Sequence, residues 1–599
     1  MAAPSPPRRS LARLAAIALV AAGAGLAGCD SDSNQDTTAP DSQSATATGT
    51  KQAQKKPPSA TPTADPTASA TAAATPTGWQ DPLGDLDSQA EPVAVTRTTF
   101  GCTVKVTAHP IQSDGQRAAL VTDYELQDDP EGDCKQVSLS QWLSASQLIP
   151  GPQQLRLFDL PSQTAWLELP TALSGVDALP RAGAFRQVAQ GDGATAIAPS
   201  ALNATYNHVS AVTLHPAPNL DQVDLFVPKF GVIPAVPVVV ADGGLDRFVA
   251  ITGEPLADQE AAATVPLRRF LGDYEGEMYV VDTAETTTLA ITSDVLFATD
   301  EYELTPEAQD TIERAVDQIK AEYDSGTITV IGHTDDVADE SYNQTLSENR
   351  ANSVAAAITP LLGDAYTVTA EGRGESEPAV EGTSTEARTL NRRVEIQMSG
   401  VEHVDTQTQA FNPGDLMPAD YPTSQGGQDW LEFEQGVNGM TKATKYKIKV
   451  DQLVRTDNGL VGYLRLAVAN LGEAQFPNLT SAFYMPYSGR AVNRDLQARG
   501  YGMLQTMAGT VPVALLTPEG RLYGYDFQVL ADQSTPKFVE MVCTDAMNVA
   551  SFDAATQDML ITMIWPDPGT ATVTIDVEGT FRLQDVPVSD DASALGASY

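Results

Sequence analysis

Apolar and polar residues alternate in short runs over two long stretches of the chain, residues 93–250 and 430–588. TVKVTAH, AALVTDYEL, LRLFDL, AWLEL and VDLFV in the first stretch are separated by Gly, Pro and Asp, a pattern that predicts antiparallel strands joined by tight turns. The second stretch has the same character. GCTVKVTAHPIQSDGQRAALVTDYEL lies on KYKIKVDQLVRTDNGLVGYLRLAVAN without a gap, with Val104 on Ile448, Val106 on Val450, and Asp114-Gly115 on Asn458-Gly459. Both dipeptides favour hairpin turns. RLFDLPSQTAWLEL and ALLTPEGRLYGYDF match in pattern as well, so a duplicated unit is expected, against the plainer reading that all alternating strands look alike.

Between these stretches the period changes. TLAITSDVLFA, TITVIGHT, YTVTAEG and RRVEIQMS predict strands. TPEAQDTIERAVDQIKAEY predicts a helix capped by Thr305, with Pro306 in the first turn and Ile312, Val316, Ile319 and Tyr323 on one face. A second helix carries Leu346, Arg350, Val354 and Ile358 on one face, and Ser341 with Gln344 predicts its capping box. The expected architecture is multidomain: an α+β, βαβαβ-type domain over 289–399 between two all-β immunoglobulin-like sandwiches at 93–250 and 430–588. Residues 251–288 and 400–429 are expected to connect them, and 589–599 to form a tail.

Composition changes the picture at the N-terminus. Arg8, Arg9 and Arg13 precede an apolar run from Leu14 and the small residues before Cys29, the layout of an export signal over 1–28. Residues 29–92 are Ser, Thr, Ala, Pro and Asp with hardly an aromatic side chain, and cannot build a core. About sixty such residues form a coil spanning about 40–45 Å, a tether. The 78 acidic and 36 basic side chains give a net charge of -42, which argues against nucleic acid as a partner. Outside the cytoplasm disulfides persist, and Cys102 with Cys134 would close a loop inside one predicted sandwich, leaving Cys543 single. Neither metal-like nor triad-like spacing occurs among the five histidines, so no enzyme activity and no cofactor are expected.

Leu26-Ala27-Gly28-Cys29 resembles the lipobox of bacterial lipoproteins, which implies a lipid on Cys29 and a membrane anchor. DVLFATDEYELTPEAQ, GHTDDVADESYNQTLSENRANSV, GRGESEP and NRRVEI, in that order, resemble the peptidoglycan-binding domain named after the C-terminal half of outer membrane protein A and shared with peptidoglycan-associated lipoproteins. The resemblance implies a ligand, the stem-peptide diaminopimelate of peptidoglycan, and carries its site onto Asp335, Asn343, Arg350, Arg392 and Asp300. A free amino-acid end presents an ammonium and a carboxylate. Asp335 suits the first, and the planar donors of Arg350 suit the second. The alternative is an Asp335–Arg350 ion pair that merely fixes loop to helix.

The turn after Asp335 departs from the family in reading Asp336-Val337-Ala338-Asp339, and its added carboxylates are expected to repel an anionic group. The cluster lacks the alternating ligands and central glycine of a calcium loop. Glycines 372 and 374 lack the context of a dinucleotide loop. Trp142, Trp166 and Trp565 are expected in cores rather than on sugars. The chain therefore reads as an exported lipoprotein that binds the wall from the outer face of the cytoplasmic membrane, or from the outer membrane if the envelope has one. The alternative is a scaffold whose sandwiches hold an envelope protein partner, with the wall contact merely locating it.

Overall fold

The computed structural model describes residues 85–127, 155–171, 208–255, 263–380, 382–399, 419–435, 444–457, 459–469, 491–499, 512–529, 538–543 and 558–596, with short pieces at 137–139, 143, 181–182 and 201–202. The expected signal segment, Cys29 and the tether as far as residue 84 lie outside the described residues, as do Cys134 and Trp142.

The central domain runs β1 (Thr286–Thr292), α1 (Ser293–Leu296), α2 (Ala308–Glu322), β2 (Gly326–His333), α3 (Glu340–Leu362), β3 (Tyr366–Gly374), α4 (Thr385–Asn391) and β4 (Arg393–Ser399). Its strands lie in the order β3-β2-β4-β1, with β2 and β3 parallel and the other neighbours antiparallel. Thr305 Oγ1 accepts from the Ala308 amide at 3.2 Å just ahead of α2, whose N-cap is Glu307, two residues past the expected one, and Ile312, Val316, Ile319 and Tyr323 are all buried. Leu346, Arg350, Val354 and Ile358 form the buried face of α3. Two other local expectations fail. The SDVL part of the first predicted strand forms α1, and the Ser341/Gln344 capping box is absent because α3 begins two residues earlier than the box requires, with Asp339 as its N-cap. Ser341 is then already helical, and its carbonyl accepts from Thr345 Oγ1.

Three glycines let α3 sit directly on its strands. A methyl group on Gly332 would lie 2.1 Å from the Ser347 carbonyl oxygen, and one on Gly372 2.5 Å from the Glu348 amide. Gly374 has φ 54 and donates its amide to Ser347 Oγ at 2.9 Å. The Gly-Arg-Gly at 372–374 is thus a helix-packing feature.

The β-rich stretches differ from two independent sandwiches. Val104, Val106, Tyr124 and Leu225 from the first share one core with Ile448, Val450, Leu464 and Trp565 from the second. Polar contacts cross as well: the Phe100 amide donates to Asp558 O at 2.8 Å, and Arg465 Nη1 to Thr98 O at 2.6 Å. The cause is visible in Met559–Trp565, which is buried at every position and so needs cover on both faces. Residues 251–288 are more than a connector. Thr264–Pro266 pairs with Thr164–Trp166, and Arg269–Gly272 pairs with Arg521–Tyr523. Met278–Asp282 pairs with β1, so the expected boundary at 289 falls inside a strand and the central sheet continues into the β-rich body.

Equivalences of the kind a duplication leaves are present, though not all where the ungapped match puts them. Leu157–Trp166, Phe158–Ala165 and Asp159–Thr164 pair as Ala514–Tyr523, Leu515–Leu522 and Leu516–Arg521 do, with positive φ at Gln163 and Gly520. The hairpins Gln222–Val240 and Thr572–Pro587 share a bulge, at Val223/Leu225 and Val573/Ile575, and positive φ at Lys229 and Gly579 and at Ala235 and Asp585. In the first predicted pair the register slips. Val104 faces Leu126, but Ile448 faces Leu466 where an unshifted repeat would place Asn470.

Candidate ligand-binding site

Arg350 lies nearly three turns into α3 and is 4% exposed. Its Nε donates to the Glu301 carbonyl at 2.9 Å, and its guanidinium carbon lies 5.2 Å from the centre of the Phe297 ring. Burial lowers its pKa, opposed by the nearby charges of Asp294 and Asp300. Among the described residues neither terminal nitrogen has a hydrogen-bond partner, and no carboxylate approaches within ion-pair distance. The Asp335–Arg350 pair is therefore not formed. Arg350 is a buried-stemmed cation whose donor fork is unspent.

Asp335, at the end of β2, is paired instead with Arg392, whose Nη1 donates to Asp335 Oδ2 at 2.8 Å. The other edge of Arg392 forks onto Asp294 in α1, Nε to Oδ1 at 3.0 Å and Nη2 to Oδ2 at 2.7 Å. These bonds, to Asp294 first and then Asp335, hold Arg392 firmly in its charged form. Two carboxylates share one guanidinium, so the triad keeps one net negative charge. The open cation of Arg350 is electrostatically coupled to Asp294 and Arg392 of that triad.

Asn343 is 2% exposed, and its Nδ2 donates to Asp335 O at 3.1 Å, Ala338 O at 3.3 Å and Glu375 Oε2 at 2.5 Å. Its amide nitrogen is consumed in tying the Asp335 loop to α3, so it positions that loop rather than offering a donor to a ligand. Asp300 stands exposed with φ 59 in the turn closed by the Glu301 amide on Ala298 O at 3.0 Å. That left-handed residue, which aspartate tolerates, belongs to the turn whose Glu301 carbonyl meets Arg350.

The expected repulsion from Asp336 is cancelled. Arg388 of α4 forks onto it, Nε to Oδ1 at 2.7 Å and Nη2 to Oδ2 at 3.3 Å, and the bond lowers the Asp336 pKa. Asp294, the Glu301 carbonyl and Arg388 were missed as site groups. Arg388 and Arg392 stand one helical turn apart, a spacing that points to a shared face once α4 is recognised. Beneath the site His333 is 1% exposed, 3.7 Å from Glu395, and the Thr334 hydroxyl is buried without a partner. Burial pushes the Glu395 carboxyl up, but the nearby His333 and the Arg393 guanidinium, whose Nε donates to Glu395 Oε1 at 2.7 Å, outweigh it and hold the group at about 2. Trp166 and Trp565 are core residues, and Cys102 is buried while its expected partner Cys134 lies outside the described residues.

A family model described as the OmpA family matches residues 296–392. Outer membrane protein A of Bordetella avium is 36% identical over 108 residues, covering 18% of this chain and 55% of that protein. Outer membrane porin F of Pseudomonas aeruginosa is 39% identical over 106 residues, 18% of this chain and 30% of that protein. The chain thus spans about half or less of the curated relatives it matches. Among solved structures, the cell wall anchor of the T6SS from Pseudomonas aeruginosa is 34% identical, covers 21% of this chain and 90% of its own, and has a TM-score of 0.20. The peptidoglycan-associated lipoprotein from Burkholderia pseudomallei is 24% identical, covers 19% and 90%, and has a TM-score of 0.15. Motif order, the α+β sheet and the family match agree, and residues 296–392 are an OmpA family domain.

Proposed function

We propose that this chain is a cell-envelope lipoprotein, anchored through Cys29, whose OmpA family domain holds peptidoglycan non-covalently by the zwitterionic end of stem-peptide diaminopimelate. The observation that carries the reading is the unspent donor fork of Arg350 and, near it, the Asp294–Arg392–Asp335 triad of net charge minus one. Ammonium and carboxylate of one amino-acid end need an anion and a cation that are not already satisfied by each other. Here Asp335 is paired with Arg392 and still shares in a surplus negative charge, while Arg350 keeps two free donors for a bidentate bond. No bond is made or broken in this role. The β-rich body, continuous with the central sheet, serves to carry the site away from the membrane.

Sedimentation with purified sacculi tests the reading. The full chain should pellet with diaminopimelate-type sacculi and stay in the supernatant with lysine-type sacculi, whose side-chain end lacks the carboxylate. Asp335→Ala and Arg350→Ala should each remain folded and soluble. Pelleting of both variants would remove the assigned site.

A further inference from the structure

Residues 85–91 belong to the stretch expected as a free tether, yet they are strapped onto the β-rich body. Leu86 is 8% exposed and joins a core with Val121, Val212, Leu214, Phe248 and Ile251. Its carbonyl accepts from Gln112 Nε2 at 3.3 Å, and Gln89 Nε2 donates to the Val240 carbonyl at 2.8 Å. Between these two anchors Asp87 Oδ1 meets His109 Nδ1 at 2.7 Å. The other ring nitrogen, Nε2, meets Asp123 Oδ2 at 2.9 Å. Asp123 is itself fixed, because its Oδ1 accepts from Ser210 Oγ at 2.5 Å and lies 3.7 Å from His208 Nε2.

A neutral imidazole has one N–H and one lone pair, so it can donate to only one carboxylate and turns the lone pair on the other; an imidazolium donates to both. A ring held between two carboxylates is therefore charged. The charged groups that face it are Asp87 from the strap, Asp123 from Arg117–Leu126 and His208 from His208–Pro216, which in turn feels Glu125. Burial lowers the His109 pKa, but the hydrogen bonds to Asp123 and Asp87 outweigh it and raise the ring from 6.5 to about 9.

We propose that Asp87 and His109 form a latch that holds residues 85–91 on the body at neutral pH and releases them in alkali, lengthening the tether by up to about 25 Å. The bond to Asp87 is the one given up when the ring loses its proton, since Asp87 is 40% exposed whereas Asp123 is 21% exposed and keeps Ser210. With the folded pKa raised, the latch is fully made below pH 6.5 and is lost as pH rises through about 9. It does not depend on what the central domain binds.

NMR titration of the full chain labelled with 15N-histidine, together with amide hydrogen exchange of peptides covering 85–91 corrected for the intrinsic rate, tests it. The His109 ring should carry protons on both nitrogens at pH 7.5 and titrate near pH 9. Protection of the strap should fall roughly 10-fold over that interval, the scale of one hydrogen bond to a charged group, while residues 208–216 keep theirs. Asp87→Asn, at an exposed position that leaves the fold intact, should give low strap protection at every pH and no step. A ring that titrates near 6.5, strap protection that stays level from pH 7 to 10, a step that survives Asp87→Asn, or a loss shared by residues 208–216 would each overturn the latch.

Discussion

Arg350→Met separates a binding role from a structural one. Methionine has nearly the same length and no charge, so it keeps the packing of the α3 stripe against Phe297. Removing the cation gives up the Nε bond to Glu301 O, worth about 1.5–3 kcal/mol for a charged donor, and a cation–π contact of about 0.5–1 kcal/mol. Against this it relieves the desolvation of a 4% exposed cation that has no carboxylate partner, and exchanges of buried charge for apolar volume are commonly neutral or stabilising by about 1–4 kcal/mol. The terms offset, so the local stability of α3 should change by about 1 kcal/mol or less. A cation held in a buried pair would instead cost about 3–5 kcal/mol to remove. Amide hydrogen exchange at Val354 and Ile358 reads that stability, and sacculus sedimentation reads function. A ligand-binding role for Arg350 gives near-wild-type protection with lost sedimentation. Protection lowered by more than about 3 kcal/mol, or retained sedimentation, would refute it.

Gly332→Ala places a methyl group 2.1 Å from a helix carbonyl that cannot move aside, and should cost about 1–3 kcal/mol or more in thermal unfolding, lifting α3 and weakening sedimentation. Gly363→Ala, where φ is 86 and the methyl group meets nothing within 4 Å, should cost only about 1–2 kcal/mol and leave binding intact. Asp294→Asn cancels the surplus charge of the triad. Because Asp294 is 52% exposed, the loss should be modest, about 3–10-fold in muropeptide affinity with stability nearly unchanged, as read by titration and melting. Glu395 has its pKa lowered from 4.5 to about 2, so it contributes stability above pH 4.5 that is lost as pH falls through about 2. That contribution is about 3 kcal/mol, and urea unfolding of Glu395→Gln should lack it.

Most of the helices and strands of the central domain, and the candidate site residues, were legible in the sequence. The four-residue recurrence of Leu346, Arg350, Val354 and Ile358 marks the buried face of α3, and Thr305 with Pro306 marks the start of α2 to within two residues, because period and capping are local properties of the chain. Asp335, Arg350 and Arg392 were legible as candidate site residues from the ordered motifs. Their pairing was not. Any of 78 carboxylates can satisfy an arginine as far as composition is concerned, and the tertiary fold brought Arg392 to Asp294, 98 positions away, so that Arg350 was left open. The same holds for the β-rich stretches. Alternation reports that a strand buries a face, not what covers it, and only the folded chain joined Val106 to Val450 in one core and ran the central sheet on through Arg269–Gly272. Local physics selects helix, strand and turn; which distant groups meet is decided by how the apolar faces must be covered at once.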